Sequence, residues 1–243
     1  MTDDDGGRRD AELVSALGAV RARIHDACAG VGRDPSSVTL VAVTKTHPAS
    51  DVATLERLGV LDVGESKDQE ARAKIAELAE LPEPPVDLRW HVVGRVQSNK
   101  ARSVAGYAYA VHSVDRGKLA RALGESAAGR SQGPLEVFVQ VSLDGDPERG
   151  GVVRDGVAAL TDLVAGQAGL ILRGVMAVPP IGADPEAAFA QLAQIAASVR
   201  LAHPGADSIS AGMSADLEAA VRNGATHVRV GSALLGRRGS VVS

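Results

Sequence analysis

Eight short runs of β-favouring residues recur along this 243-residue chain, and the stretches between them carry the apolar spacing of helices. The runs are VTLVAVT (38–44), VLDVGE (60–65), RWHVVG (89–94), YAVHSV (109–114), LEVFVQVS (135–142), LILRGVMAV (170–178), ADSISA (206–211) and HVRVGS (227–232). Near-continuous apolar strands are what a parallel sheet covered on both faces requires. Eight βα units are what close a (β/α)8 barrel, although the last strand has only a short tail behind it. The alternative, an open doubly wound sheet, lacks a GxGxxG at its first strand-to-helix turn. Ahead of the first strand, Leu13, Leu17, Val20 and Ile24 recur at helical spacing, and Gly30 and Gly32 close that segment. The expected architecture is α/β: a single-domain TIM barrel over residues 11–243 with an extra N-terminal helix, led by a polar flexible stretch over residues 1–10.

Composition narrows the function. A net charge of -4 with no long Lys/Arg run opposes binding to a nucleic-acid backbone, so no polynucleotide partner is expected. The single cysteine, Cys28, cannot close an internal disulfide, and MTDDDGGRRD is too acidic for a secretory signal. No apolar run approaches membrane-spanning length, so a cytoplasmic protein without a membrane partner is expected. Aromatic residues are 2% of the chain, which leaves a ligand ring to pack on aliphatic or backbone surface.

In a closed barrel the residues just past each strand converge on one mouth, whatever their separation in sequence. Here they include Lys45, Gly64-Glu65-Ser66, Gly94, Ser113, Ser142, Met176, SAGMS (210–214) and Gly231-Ser232. Small and hydroxylic residues let backbone N–H groups approach an anion closely. SAGMS and RVGS (229–232) end the seventh and eighth strands, a place where barrels bind phosphate. Lys45 ends the first strand and is their neighbour. A lysine past a strand is commonly a solvated loop residue. A lysine facing an enclosed, partly apolar mouth favours its free amine, which attacks aldehydes and forms a Schiff base. Aldehyde and phosphate together suggest pyridoxal 5′-phosphate. Arg229 on the eighth strand either faces the ring nitrogen of that ligand or pairs with Glu65 inside the barrel; spacing leaves both open. No metal is expected.

The blocks VAVTKTHP, GES, HVVGRVQSNK, LRGVMAVPP and SAGMSADLEAAVRNGATHVRVGSALLGRR, in this order over residues 38–237, resemble the YggS/PROSC family of pyridoxal-phosphate homeostasis proteins. The resemblance implies a barrel like that of alanine racemase. It also implies Lys45 as the Schiff-base lysine, Arg229 at the pyridine nitrogen, and Ser214 with Gly231 and Ser232 at the phosphate. Met213 is counted with these cofactor contacts. It further implies buffering or delivery of the cofactor, with pyridoxal-phosphate-dependent apo-enzymes as partners and no catalytic residues.

Four positions depart from that family. Ser66 stands where Asn is usual and Lys67 where an aromatic follows it, Ser142 stands where Asn is usual, and Arg149 stands near a family lysine described as a secondary cofactor contact, a role arginine cannot fill covalently. His91, Gln97, Asn99 and Lys100 are further polar candidates. Two enzyme readings compete. A racemase needs a second base, and the two tyrosines, Tyr107 and Tyr109, fall at the wrong end of the fourth strand. A class I aldolase would use Lys45 without any cofactor. Because no second domain follows the barrel, a monomer is expected.

Overall fold

The computed structural model describes residues 3–146 and 149–236. Residues 1–2 of the expected lead, Pro147 of the loop after the fifth strand, and 237–243 at the chain's end lie outside the described residues. Eight parallel strands close into a barrel in sequence order: β1 (Thr39–Val43), β2 (Asp62–Glu65), β3 (Arg89–Val92), β4 (Ala110–Val114), β5 (Leu135–Gln140), β6 (Leu170–Met176), β7 (Ser208–Ser210) and β8 (His227–Val230). All eight runs expected from sequence are strands, and closure by β1 on β8 excludes the open sheet.

The connecting helices are α2 (Ala49–Arg57), α3 (Asp68–Ala79), α4 (Ala101–Tyr107), α5 (Gly117–Ala127), α6 (Val157–Ala165), α7 (Pro185–Ala202) and α8 (Leu217–Arg222). The start of α7 is local chemistry: Asp184 accepts from the N–H groups of Glu186 and Ala187, and Pro185 presets the first helical φ. The leading helix, α1 (Asp3–Ala29), begins inside the stretch expected to be flexible. Arg9 there bonds Asp51, and Asp10 bonds Thr54, both on α2.

The short tail after β8 forms only α9 (Ser232–Leu235), too short to cover its strand. The face of α1 fills that gap. Leu13, Leu17, Val20 and Ile24 pack with Leu217 and Val221 of α8, Leu234 and Leu235 of α9, and Val228 and Val230 of β8. Four such side chains contribute roughly 6–12 kcal/mol as an upper bound, so the helix is part of the barrel's cover and not an appendage.

Strand alternation sorts the residues into two cores. Val63, Val92, Val111, Val137, Val228 and Val230 belong to the clusters packed with the helices. Their neighbours of opposite parity, His91, His112, Phe138, Ser210 and Arg229, fill the barrel's interior and are buried. Val, Ile and Leu usually occupy that space, so the polar groups there need partners. Among the described residues no helix is long and apolar enough to cross a membrane.

Candidate functional site

Only five residues separate β1 from α2, and Lys45 is the second of them. Thr44 is fully buried; its hydroxyl donates to Glu65 Oε1 at 2.7 Å and its carbonyl accepts from Lys74 Nζ at 2.6 Å. Lys74 also pairs with Glu65 at 2.5 Å and with Glu70 at 3.1 Å. Glu70 in turn accepts the backbone N–H of Thr46, whose φ of 67° is costly for a β-branched residue. The turn is therefore clamped on both sides of Lys45 by β2 and α3. Burial raises the Glu65 carboxyl, opposed by Lys74 and Thr44. Lys45 itself is exposed and makes no ion pair among the described residues, so its amine stands at an open mouth and not in an enclosed one.

Arg229 pairs in register with Val41 of β1 and points inward. Nη1 donates to Ser210 Oγ at 2.6 Å and Nη2 to the Ala177 carbonyl at 3.1 Å. Burial pushes its guanidinium down to about 10, partly offset by Asp216, so it remains a cation near neutral pH. Glu65, the alternative partner weighed from sequence, is taken by Lys74 and Thr44, and no Arg229–Glu65 pair forms.

The loop after β7 turns at Gly212, where φ is 89° and a Cβ would sit 2.6 Å from that of Ala220. Glycine is required there on both counts. Met213 follows, exposed, with its N–H donated to Asp216 Oδ1 at 2.6 Å. Ser214 Oγ accepts from the N–H of Ala233 in α9 at 3.1 Å. That bond brings the Ser214 hydroxyl beside Gly231 and Ser232, although the two loops are far apart in sequence. Ser232 is exposed and Gly231 half-buried, with Val43 of β1 against its backbone. The amine on β1 and the arginine and hydroxyls on β7 and β8 thus come from three consecutive strands of the closed ring.

The departures have structural uses. Ser142 Oγ donates to Asp144 Oδ1 and accepts from the N–H of Gly145, closing the turn after β5. Arg149 ties that loop to the next: it pairs with Asp144 at 3.0 Å and donates to the Pro179 carbonyl at 2.6 Å. The backbone of Ser66 lies so close to Gly94 that a Cβ there would fall 2.2 Å from the Ser66 carbonyl oxygen. His91 is buried in the barrel, whereas Gln97, Asn99 and Lys100 are exposed. The hydroxyl of Tyr107 is buried beside α3, and that of Tyr109 meets Glu136 near the barrel's base. Sequence reasoning passed over Lys74 and Glu70; their i, i+4 spacing with opposite charge was the available signal.

Residues 16–239 match the family described as alanine racemase, N-terminal domain. A pyridoxal phosphate homeostasis protein of Mycobacterium leprae is 45% identical over 243 residues, covering 95% of this chain and 94% of its own. Another, from Pseudomonas aeruginosa, is 44% identical over 229 residues, covering 93% and 96%. The structure of PipY from Synechococcus elongatus, solved with PLP bound, superposes with a TM-score of 0.79 at 34% identity, covering 92% of this chain and all of that one. Alanine racemase from Corynebacterium glutamicum shares the fold, with a TM-score of 0.62 at 13% identity over 92% of this chain and 63% of that one. On these matches the chain belongs to the pyridoxal phosphate homeostasis protein family, on the barrel of the alanine racemase N-terminal domain.

Proposed function

We propose that this chain holds pyridoxal 5′-phosphate reversibly at the mouth of its barrel, with Lys45, Arg229, Ser214, Met213, Gly231 and Ser232 around it, and passes it to apo-enzymes that use it. One observation carries the reading: a primary amine, a buried guanidinium and a hydroxyl-lined loop pair stand on three consecutive strands. That donor set fits the ligand at its aldehyde, its ring nitrogen and its phosphate. The ligand supplies an aldehyde that condenses with amines and a ring that withdraws electrons. Lys45 supplies the amine, presented by the clamped turn. Arg229 has only donors, so a ring nitrogen facing it accepts a hydrogen bond and carries no proton of its own. That weakens the ring as an electron sink. Ser214, Ser232 and the backbone at Gly231 bind the dianionic end through charge-assisted hydrogen bonds.

The exposure of Lys45 supports exchange over turnover, because chemistry on a bound ring benefits from excluded water. The racemase reading needs a base opposite Lys45, and neither tyrosine presents a free hydroxyl there: that of Tyr109 meets Glu136 and that of Tyr107 is buried. Titrating the purified protein with pyridoxal phosphate, reducing with borohydride and mapping the label tests the binding. Adding an apo-enzyme and following its recovered activity against free ligand at equal concentration tests the delivery. A protein that leaves the ligand's visible spectrum unchanged would refute both.

A further inference from the structure

The interior of the barrel carries a run of polar groups that the mouth uses only at one end. His91 Nε2 lies 2.8 Å from Asp62 Oδ1, and His91 Nδ1 lies 2.8 Å from His112 Nε2. His112 Nδ1 lies 2.7 Å from Ser210 Oγ, the atom to which Arg229 donates. One unbroken chain thus runs from Asp62, the first residue of β2 at the barrel's base, to Ser210, the last residue of β7, and on to Arg229. The path is dry: His91 and His112 are at most 1% exposed, and His112 stacks on Phe138 with ring centres 4.4 Å apart.

The two ends fix the direction of the outer bonds and favour one direction for those between them. A guanidinium only donates. Burial alone would raise the Asp62 carboxyl, but Arg89 and His91 outweigh it and hold it at about 2, so it is ionised and only accepts. Ser210 O–H then donates to His112 Nδ1, His112 Nε2–H to His91 Nδ1, and His91 Nε2–H to Asp62. In that order each ring donates through Nε2 and accepts at Nδ1. The reverse order requires an imidazolium at His91 and leaves the Ser210 hydroxyl hydrogen without an acceptor in the chain. It also places a second cation in the interior that already holds Arg229. Burial first, and then the neighbouring His91 and Arg229, oppose a proton on His112.

Arg229 makes no direct ion pair among the described residues, yet it is buried and charged, and Asp216 offsets its burial only in part. The geometry points to Asp62 as its remote counter-charge: Asp62, His91, His112 and Ser210 form a one-way hydrogen-bond relay that fixes the Arg229 guanidinium where it meets the ring nitrogen of pyridoxal phosphate. This rests on Arg229 serving that nitrogen, as proposed above. The four are positioning residues, since only Arg229 reaches the ligand. Aligned hydrogen bonds polarise one another in a dry interior, which is how a carboxylate four residues away in the chain of contacts acts on the guanidinium. Asp62 and Arg89 also line a cavity of about 510 Å³ at the base, so the anionic end of the relay is the end that faces away from the mouth.

Imidazole nitrogen NMR on the ligand-free wild type decides the relay without any variant. Nε2–H tautomers at both His91 and His112 near neutral pH are expected; an imidazolium at His91 or an Nδ1–H tautomer at His112 overturns it. Asp62→Asn keeps an acceptor and removes the charge. It should weaken pyridoxal phosphate binding about tenfold and shift the absorption maximum of the bound ligand, whereas Arg89→Gln should stay within about twofold of wild type. Equal losses in both variants, or none in Asp62→Asn, would reduce Asp62 to a partner of Arg89. Should the wild type not bind pyridoxal phosphate, the proposed function falls and the tautomers still decide the relay.

Discussion

Lys74 Nζ lies 2.5 Å from Glu65 Oε1, with both side chains no more than 6% exposed, and the pair braces the turn that presents Lys45. Removing one member strands the other. Glu65 Oε2 already lacks a hydrogen-bond partner among the described residues, so its carboxylate has little to fall back on. Lys74→Met should cost about 3–5 kcal/mol in urea unfolding, and adding Glu65→Leu should recover part of that loss. A cost below about 1 kcal/mol would mean that the pair does not brace the turn.

Lys45→Ala should behave oppositely, because the side chain is exposed and unpaired among the described residues. Stability should change by less than about 0.5 kcal/mol while the visible band of the ligand-loaded protein disappears. Borohydride label on the wild type should map to Lys45. Recovery of the label mainly on Lys67 or Lys100 would move the site.

On the proposed binding role, Ser214→Ala removes one charge-assisted hydrogen bond to phosphate, and it frees the Ala233 N–H that the hydroxyl now accepts. Binding of pyridoxal phosphate should weaken by roughly 1.5–3 kcal/mol, and binding of unphosphorylated pyridoxal should hardly change. If calorimetry gave equal losses for both ligands, the serine would be supporting the loop pair and not the phosphate.

The strands were legible because a buried parallel sheet writes each of them as an apolar run between helical spacings. The long α1 was legible in its apolar face but not in its start, since residues 3–10 carry no apolar signal, and Arg9 and Asp10 are held by partners on α2. Ser214 and Ser232 could be paired once the barrel was assumed, because β7 and β8 must be neighbours. The relay could not be read in that way. His112 and Ser210 are 98 residues apart and meet across the barrel's interior, a distance set by shape and not by strand order. Nor did sequence reveal that Lys45 stands in the open, since exposure depends on how far the loops rise around the mouth.

The interior histidines predict an acid limb that begins early. Burial holds His227 down at about 4 and His112 well below its ordinary value. Between about pH 6.5 and 4 the unfolded chain binds protons that the folded chain refuses, so stability falls as pH falls through that window. Two such groups give a slope of about 2.7 kcal/mol per pH unit near its middle, and His227→Gln should halve it. Asp62, held at about 2, adds a second loss only below about pH 4, where its unfolded carboxyl protonates first. Urea midpoints from pH 7 to pH 4 measure the slope; a flat profile above pH 5 would mean that these rings take up protons in the folded state.

The protein loaded with pyridoxal phosphate should show no racemase turnover. Racemisation requires a base on each face of the substrate α-carbon. In the proposed site Lys45 would offer one, but Tyr109 lies just before β4 with its hydroxyl on Glu136, and the Tyr107 hydroxyl is buried with its ionisation suppressed by burial. With Arg229 in its proposed place there is a second obstacle, since a cation opposite the ring nitrogen keeps that nitrogen unprotonated, and the ring is then a weaker sink for the electrons of the α-carbon. The absent base weighs more than the ring, because a weak sink slows proton removal while a missing base stops delivery to the opposite face. Incubating L-amino acids with the loaded protein in deuterated water and following the α-proton by NMR separates the cases. Exchange no faster than free pyridoxal phosphate gives is expected, and rapid exchange with inversion would replace the binding role with a racemase.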